Sequence, residues 1–157
     1  MQEFNSEIIY DLHRAVSDFL IDLGNIFTLE TERGDLSIIE LYYKRLHPER
    51  AMQHSINKLL PHKDKIQSRN ISFFNQNRYI FAGLPDDRVT YYSNIILNQN
   101  RLSDEDLNCC WAHLDTMLAY TDSYNRLLQS YEDEKTSMKQ ITPKQITPKK
   151  AIKKNIK

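Results

Sequence analysis

Residues 103–134 read SDEDLNCCWAHLDTMLAYTDSYNRLLQSYEDE, and the fold turns on this stretch. Leu107, Trp111, Leu114 and Leu118 recur at three- and four-residue steps, and Leu127, Leu128 and Tyr131 resume the same stripe. That spacing is one face of an α-helix. Ser103 stands before the run and Asp106 three residues on, the order of a capping box, in which hydroxyl and carboxylate each take one orphan amide. Asp104 and Glu105 add negative charge where the helix end is positive. An unbroken helix from Ser103 to Glu134 would be about 48 Å long at 1.5 Å per residue. The shorter elements before it are expected to pack against it.

Those elements are read back toward the N-terminus. Pro85-Asp86-Asp87 starts a helix carrying Val89, Tyr92, Ile95, Ile96 and Leu97, closed by Asn98-Gln99-Asn100. Between 62 and 85 the apolar mass of Ile66, Phe73, Phe74, Tyr79, Ile80, Phe81 and Leu84 is enough to join a core. The pattern predicts a helix near 64–75 and a turn at Asn75-Gln76-Asn77, and leaves 78–84 unassigned. Pro48 suits the first position of a helix over 48–60, with Met52, Ile56, Leu59 and Leu60 inward and Pro61 at its end. Ser37-Ile38-Ile39-Glu40 repeats the capping order and predicts a short helix through Leu46, after a polar stretch from Thr28 to Asp35. Residues 6–27 form a first helix, whose stripe runs Ile8, Ile9, Leu12, Val16, Phe19, Leu20, Leu23, Ile26, Phe27. Asp11, Arg14, Asp18 and Asp22 lie mostly away from that stripe.

The fold class expected is therefore all-α, a five- or six-helix compact bundle over residues 1–134, organised around the long C-terminal helix. Only three glycines occur in 157 residues, too few for the tight turns of a many-stranded fold. Residues 135–157 are different material. Lys139-Gln140-Ile141-Thr142-Pro143 repeats at once as Lys144-Gln145-Ile146-Thr147-Pro148, and two prolines five apart forbid a continuous helix. Disorder is expected from about Thr136. This tail holds eight lysines and no acid. Taking those eight from the 21 basic residues leaves 13 against 21 acidic ones, a formal −8 for residues 1–134. A negative body with a positive tail points to an interaction tail.

Cys109 and Cys110 are adjacent, point about 100° apart on a helix and do not suit a structural bridge, so a reducing compartment is expected. Glu3, Glu7 and Asp11 carry the wrong charge for the start of a signal peptide. No apolar run approaches the length of a membrane span.

The sequence holds no Gly-rich phosphate loop, HExxH, GxSxG or CxxC pair, and neither a catalytic residue nor a cofactor is assigned. Cys109 and His113, four apart, can face one way and supply two zinc ligands. The competing reading makes Cys110 a small hydrophobe on the Leu107–Trp111–Leu114 face and His113 a partly buried flank, so no metal is assigned. Asp18 and Asp22 share a face at i, i+4, where acid–base work is conceivable, but a solvated face explains them. Tyr42-Tyr43-Lys44-Arg45 and Tyr91-Tyr92 have the composition of a stacking platform for single strands, against which stands the negative charge of the body. In the tail, Lys144, Lys149, Lys150, Lys153, Lys154 and Lys157 can neutralise phosphates, and Pro148-Lys149-Lys150 with Lys153-Lys154 passes for a nuclear-import patch.

Three stretches carry a resemblance: Phe19-Leu20-Ile21-Asp22-Leu23, then Leu60-Pro61-His62-Lys63-Asp64-Lys65-Ile66 with Phe73-Phe74, then Leu102-Ser103-Asp104-Glu105-Asp106 with Trp111. Together, over roughly 19–120, they resemble uncharacterised small helical proteins of nucleocytoplasmic large DNA viruses. The resemblance implies a viral protein in the host cytoplasm or the virion, with the nucleus open through the tail, and carries over no functional residue. The expected function is a non-enzymatic viral structural or interaction protein. Its helical body would bind a protein partner and its lysines nucleic acid or an acidic surface. The alternative is a nucleic-acid-binding accessory protein of viral replication or transcription.

Overall fold

The computed structural model describes residues 2–76, 84–98 and 101–140. The helices are α1 (Gln2–Ile26), α2 (Glu30–Arg45), α3 (Pro48–Lys58), α4 (Lys63–Gln67), α5 (Ser72–Gln76), α6 (Asp86–Asn98) and α7 (Asp104–Gln140), with a 3-10 turn at Leu60–His62. No strand occurs among the described residues, and the fold is all-α. By its contacts the chain divides into Met1–Arg126 and Leu127–Lys157.

In the first unit the buried side chains follow the periodicity. Ile8, Ile9, Leu12 and Ala15 are buried on α1, and Leu107, Cys110, Trp111, Leu114, Met117 and Leu118 on α7. Each set steps by three and four, so one face of each helix enters the core. Phe73 and Phe74 on α5 reach Trp111, with ring centroids 6.5 and 4.9 Å away, and α6 adds Val89, Tyr92 and Ile96. Helix α1 also packs against α2 and α3, and Ala51 and Met52 are buried on α3.

The start of α7 is as the sequence predicts. Ser103 Oγ accepts the Asp106 amide at 3.1 Å, and the Ser103 amide donates to Asp106 Oδ2 at 2.9 Å. Its end lies further on than expected. Residues 135–140, assigned to the disordered tail, are helical. The first proline of the tail is Pro143, so nothing in 135–140 forbids the helix, and Thr136 Oγ1 donates to the Glu132 carbonyl without breaking it. Residues 141–157 lie outside the described residues, as do 77–83 and the Gln99-Asn100 part of the predicted α6 stop.

Two other expectations are corrected. Helix α2 begins at Glu30, not near Ser37. Its entry needs no hydroxyl, because Glu32 reaches back and its Oε2 accepts the Leu29 amide at 3.0 Å. Ser37 lies inside the helix, donating to the Arg33 carbonyl four residues earlier at 2.8 Å. The helix predicted near 64–75 is two helices, α4 and α5, with a break at Arg69, whose φ is +56°. The Arg69 amide donates to the Ile66 carbonyl and the Asn70 amide to that of Lys65. This is a Schellman closure built on arginine where glycine is usual. Asn70 Oδ1 then accepts the Ser72 amide at 3.0 Å and starts α5.

Candidate functional site

Three places in the first unit bring polar or apolar groups together. The first joins α1 to α7. Cys109 and His113 do share one face of α7, and Asp22 of α1 meets them there. His113 Nε2 and Asp22 Oδ2 lie 2.7 Å apart, Cys109 Sγ and the same Oδ2 lie 3.8 Å apart, and all three ligand atoms fall within 4.8 Å of one another. Phe19, one turn before Asp22, stacks on the His113 ring with centroids 5.0 Å apart. Asp22 is thus only partly solvated, where the sequence reading put it on an open face. The signal for it was present as i, i+3 spacing from Phe19, but which face of α1 meets α7 is a tertiary fact.

The chemistry of this trio is not that of an activated thiol. Burial pushes the Cys109 thiol up, and the charges of Asp22, Asp106 and Glu105 push the same way. His113 pairs with Asp22 through Nε2, and among the described residues no hydrogen bond joins its ring to the Cys109 sulfur.

The second place was missed by the sequence reading. Glu32 is fully buried yet held by four donors: Arg101 Nη2 at 2.7 Å, Arg101 Nη1, Tyr91 Oη at 2.7 Å and the Leu29 amide. Burial opposes its ionisation, but the hydrogen bonds from Arg101, Tyr91 and Leu29 and the Arg101 charge outweigh that and hold the carboxyl below its usual range. One turn on, Asp35 Oδ2 accepts from Arg88 Nε and Tyr92 Oη, each at 2.7 Å. Arg88 also lies over the Tyr91 ring, 4.4 Å from its centroid. Tyr91 and Tyr92 are therefore tied into ion-paired clusters and offer no free stacking platform. No short-range pattern could announce pairs separated by 53 to 69 positions.

The third place is a cavity of about 280 Å³ between α1, α2, α3 and α7. Its wall is mostly apolar, drawn from residues such as Phe19, Leu23, Ile39, Leu59, Leu114 and Met117. Exposed Tyr42, Arg50 and His54 also line it, so it reaches the surface. Tyr43 stands in its wall with the ring 4.7 Å from that of His13 and a buried hydroxyl that has no hydrogen-bond partner among the described residues. Burial pushes that phenol up to about 12. Burial and the neighbouring Lys58 charge both push His54 down. On one face of α2, Ile38 and Leu41 beside the cavity and Tyr42 in its lining are 50, 56 and 52 % exposed.

Of the remaining candidates, Asp18 is exposed and Cys110 is buried on the core face, lining the cavity. Lys144, Lys149, Lys150, Lys153, Lys154 and Lys157 lie outside the described residues. No helix of the described residues is long and apolar enough to cross a membrane.

No protein family, curated protein or solved structure matches this chain.

Proposed function

We propose that this is a non-enzymatic interaction protein whose body takes the apolar face of a partner protein's helix, while its C-terminal lysines contact nucleic acid or an acidic surface. The observation that carries this reading is the continuity between the cavity wall and the exposed face of α2. Leu36, Ile39, Tyr42 and Tyr43 line the cavity, and the exposed Ile38 and Leu41 extend the apolar surface outside it. Exposed aliphatic residues at i and i+3 on a helix are the imprint of a helix-on-helix contact. A small apolar ligand would need the cavity alone and would leave Ile38 and Leu41 without a purpose. Arg50 and Lys58 bring positive charge to the cavity lining, which suits a partner helix with acidic flanks.

The resemblance to small helical proteins of large DNA viruses extends the proposal to a structural or assembly role in the infected cytoplasm or the virion. The test is affinity purification from producing cells with nuclease present, comparing the wild type with an Ile38→Glu, Leu41→Glu double variant of equal helicity by circular dichroism. A protein held by the wild type and lost from the double variant supports the reading. Equal capture by both overturns it, and a lipid or other small molecule extracted from both identifies the cavity as a ligand site instead.

A further inference from the structure

We propose that Asp22, Cys109 and His113 form a site for one zinc ion, with water completing its coordination. The donor set is one sulfur, one imidazole nitrogen and one carboxylate oxygen, all from long helices, and all half-buried. Zinc accepts each of these donors, with bonds of about 2.3 Å to sulfur and about 2.0 Å to nitrogen and oxygen. A tetrahedron with those bonds separates sulfur from oxygen by about 3.5 Å and nitrogen from oxygen by about 3.3 Å. The sulfur-to-oxygen separation here is 3.8 Å and the nitrogen-to-oxygen separation 2.7 Å. The ion would replace the His113–Asp22 hydrogen bond by spreading its two atoms about half an ångström, with the sulfur, which lies within 4.8 Å of the nitrogen, set at about 3.5 Å from it by side-chain torsions.

Three further observations support a cation there. The spacing of Cys109 and His113 at i, i+4 puts both on one helix face without backbone adjustment. Glu105 and Asp106, one turn before, add their negative charge to that of Asp22 around the sulfur. The Phe19 ring lies against His113 and restricts its plane from the apolar side. A thiolate and a carboxylate would neutralise the ion's two charges. Imidazole with thiolate selects zinc over magnesium or calcium, which prefer oxygen alone. Three protein ligands leave one position for water or a donor from a partner. Bound across α1 and α7, the ion would tie the two helices and raise the stability of the fold.

The test uses the full chain, stripped with a chelator and titrated with Zn²⁺ and separately with Co²⁺. The expected result is one equivalent of Zn²⁺ retained through gel filtration, a raised melting temperature, and a cobalt spectrum with a thiolate charge-transfer band and intense visible bands of four-coordination. Asp22→Asn keeps the side-chain volume and should weaken zinc at least about 100-fold, beyond the range seen for outer-sphere changes. Cys110→Ala should leave affinity within a few-fold, since Cys110 faces the core. Absence of stoichiometric zinc in the wild type overturns the proposal. So does a cobalt complex without the thiolate band, or affinity unmoved by Asp22→Asn.

Discussion

The Arg101 guanidinium closes on the Glu32 carboxylate with both terminal nitrogens, joining the loop before α7 to the first turn of α2 across 69 positions of sequence. Glu32 has no exposed surface, while the Arg101 side chain keeps about a third of its own. The carboxylate also accepts the Leu29 amide, so one side chain both starts α2 and anchors it to the rest of the unit.

Replacing Glu32 by Gln should therefore cost more than a surface exchange. Losing one partner of a buried pair is worth about 3–5 kcal/mol, and the partial exposure of Arg101 reduces that to about 2–3 kcal/mol. Urea unfolding followed by circular dichroism measures it, with an expected fall in midpoint at unchanged slope. A change within about 0.5 kcal/mol would place Glu32 among ordinary surface residues.

The acid limb of stability follows from the same carboxylate. Hydrogen bonds from Arg101, Tyr91 and Leu29 overcome the opposing effect of burial and depress Glu32, and the Lys63 hydrogen bond, with Arg126 nearby, depresses Asp122. A depressed folded pKa means that the unfolded chain binds more protons between the two values. The stabilisation is complete above the ordinary carboxylate value and is lost as pH falls through the folded one. Thermal melts across the acid range should show this loss, and Glu32→Gln should flatten it.

Gly34 offers a change in the opposite sense. It lies inside α2, exposed, with nothing within 4 Å of where a Cβ would stand. Gly34→Ala should stabilise the fold by about 0.8–1.0 kcal/mol through helix propensity alone. A melting temperature that does not rise would mean that α2 is not helical at this point.

The tail makes a prediction about salt. Truncation after Gln140 removes Lys144, Lys149, Lys150, Lys153, Lys154 and Lys157 together. If these lysines are the nucleic-acid contact, the full chain should bind single-stranded DNA with an affinity that falls steeply with salt, and the truncated chain should not bind. Fluorescence anisotropy at several salt concentrations reads both, and binding that survives the truncation would relocate the contact to the helices.

Local rules read α1, α3, α6 and the start of α7 correctly, because each carries its own punctuation: a broad stripe, Pro48, Pro85-Asp86-Asp87, and Ser103 with Asp106. They failed where the deciding partner was remote. Helix α2 looked like a polar loop up to Asp35 because Glu32 and Asp35 are charged, and the remote partners Arg101, Tyr91, Arg88 and Tyr92 make their placement favourable. The break at Arg69 was hidden for another reason. An arginine at positive φ costs about 1–2 kcal/mol and gives no compositional warning, though its guanidinium recovers an ion pair with Asp115 at 2.9 Å. At the candidate metal centre, two of three donors were legible from their spacing on one helix. The third, Asp22, depended on how α1 lies against α7.

The adjacency of Cys109 and Cys110 gives the molecule a pair of built-in reporters. One sulfur faces the carboxylate and imidazole, the other the apolar hollow, although a single peptide unit joins them. Carbon-13 placed at both β-carbons would yield two resonances with separate sensitivities: one answering to cations, the other to whatever fills the hollow. A single spectrum could then tell which kind of visitor has arrived.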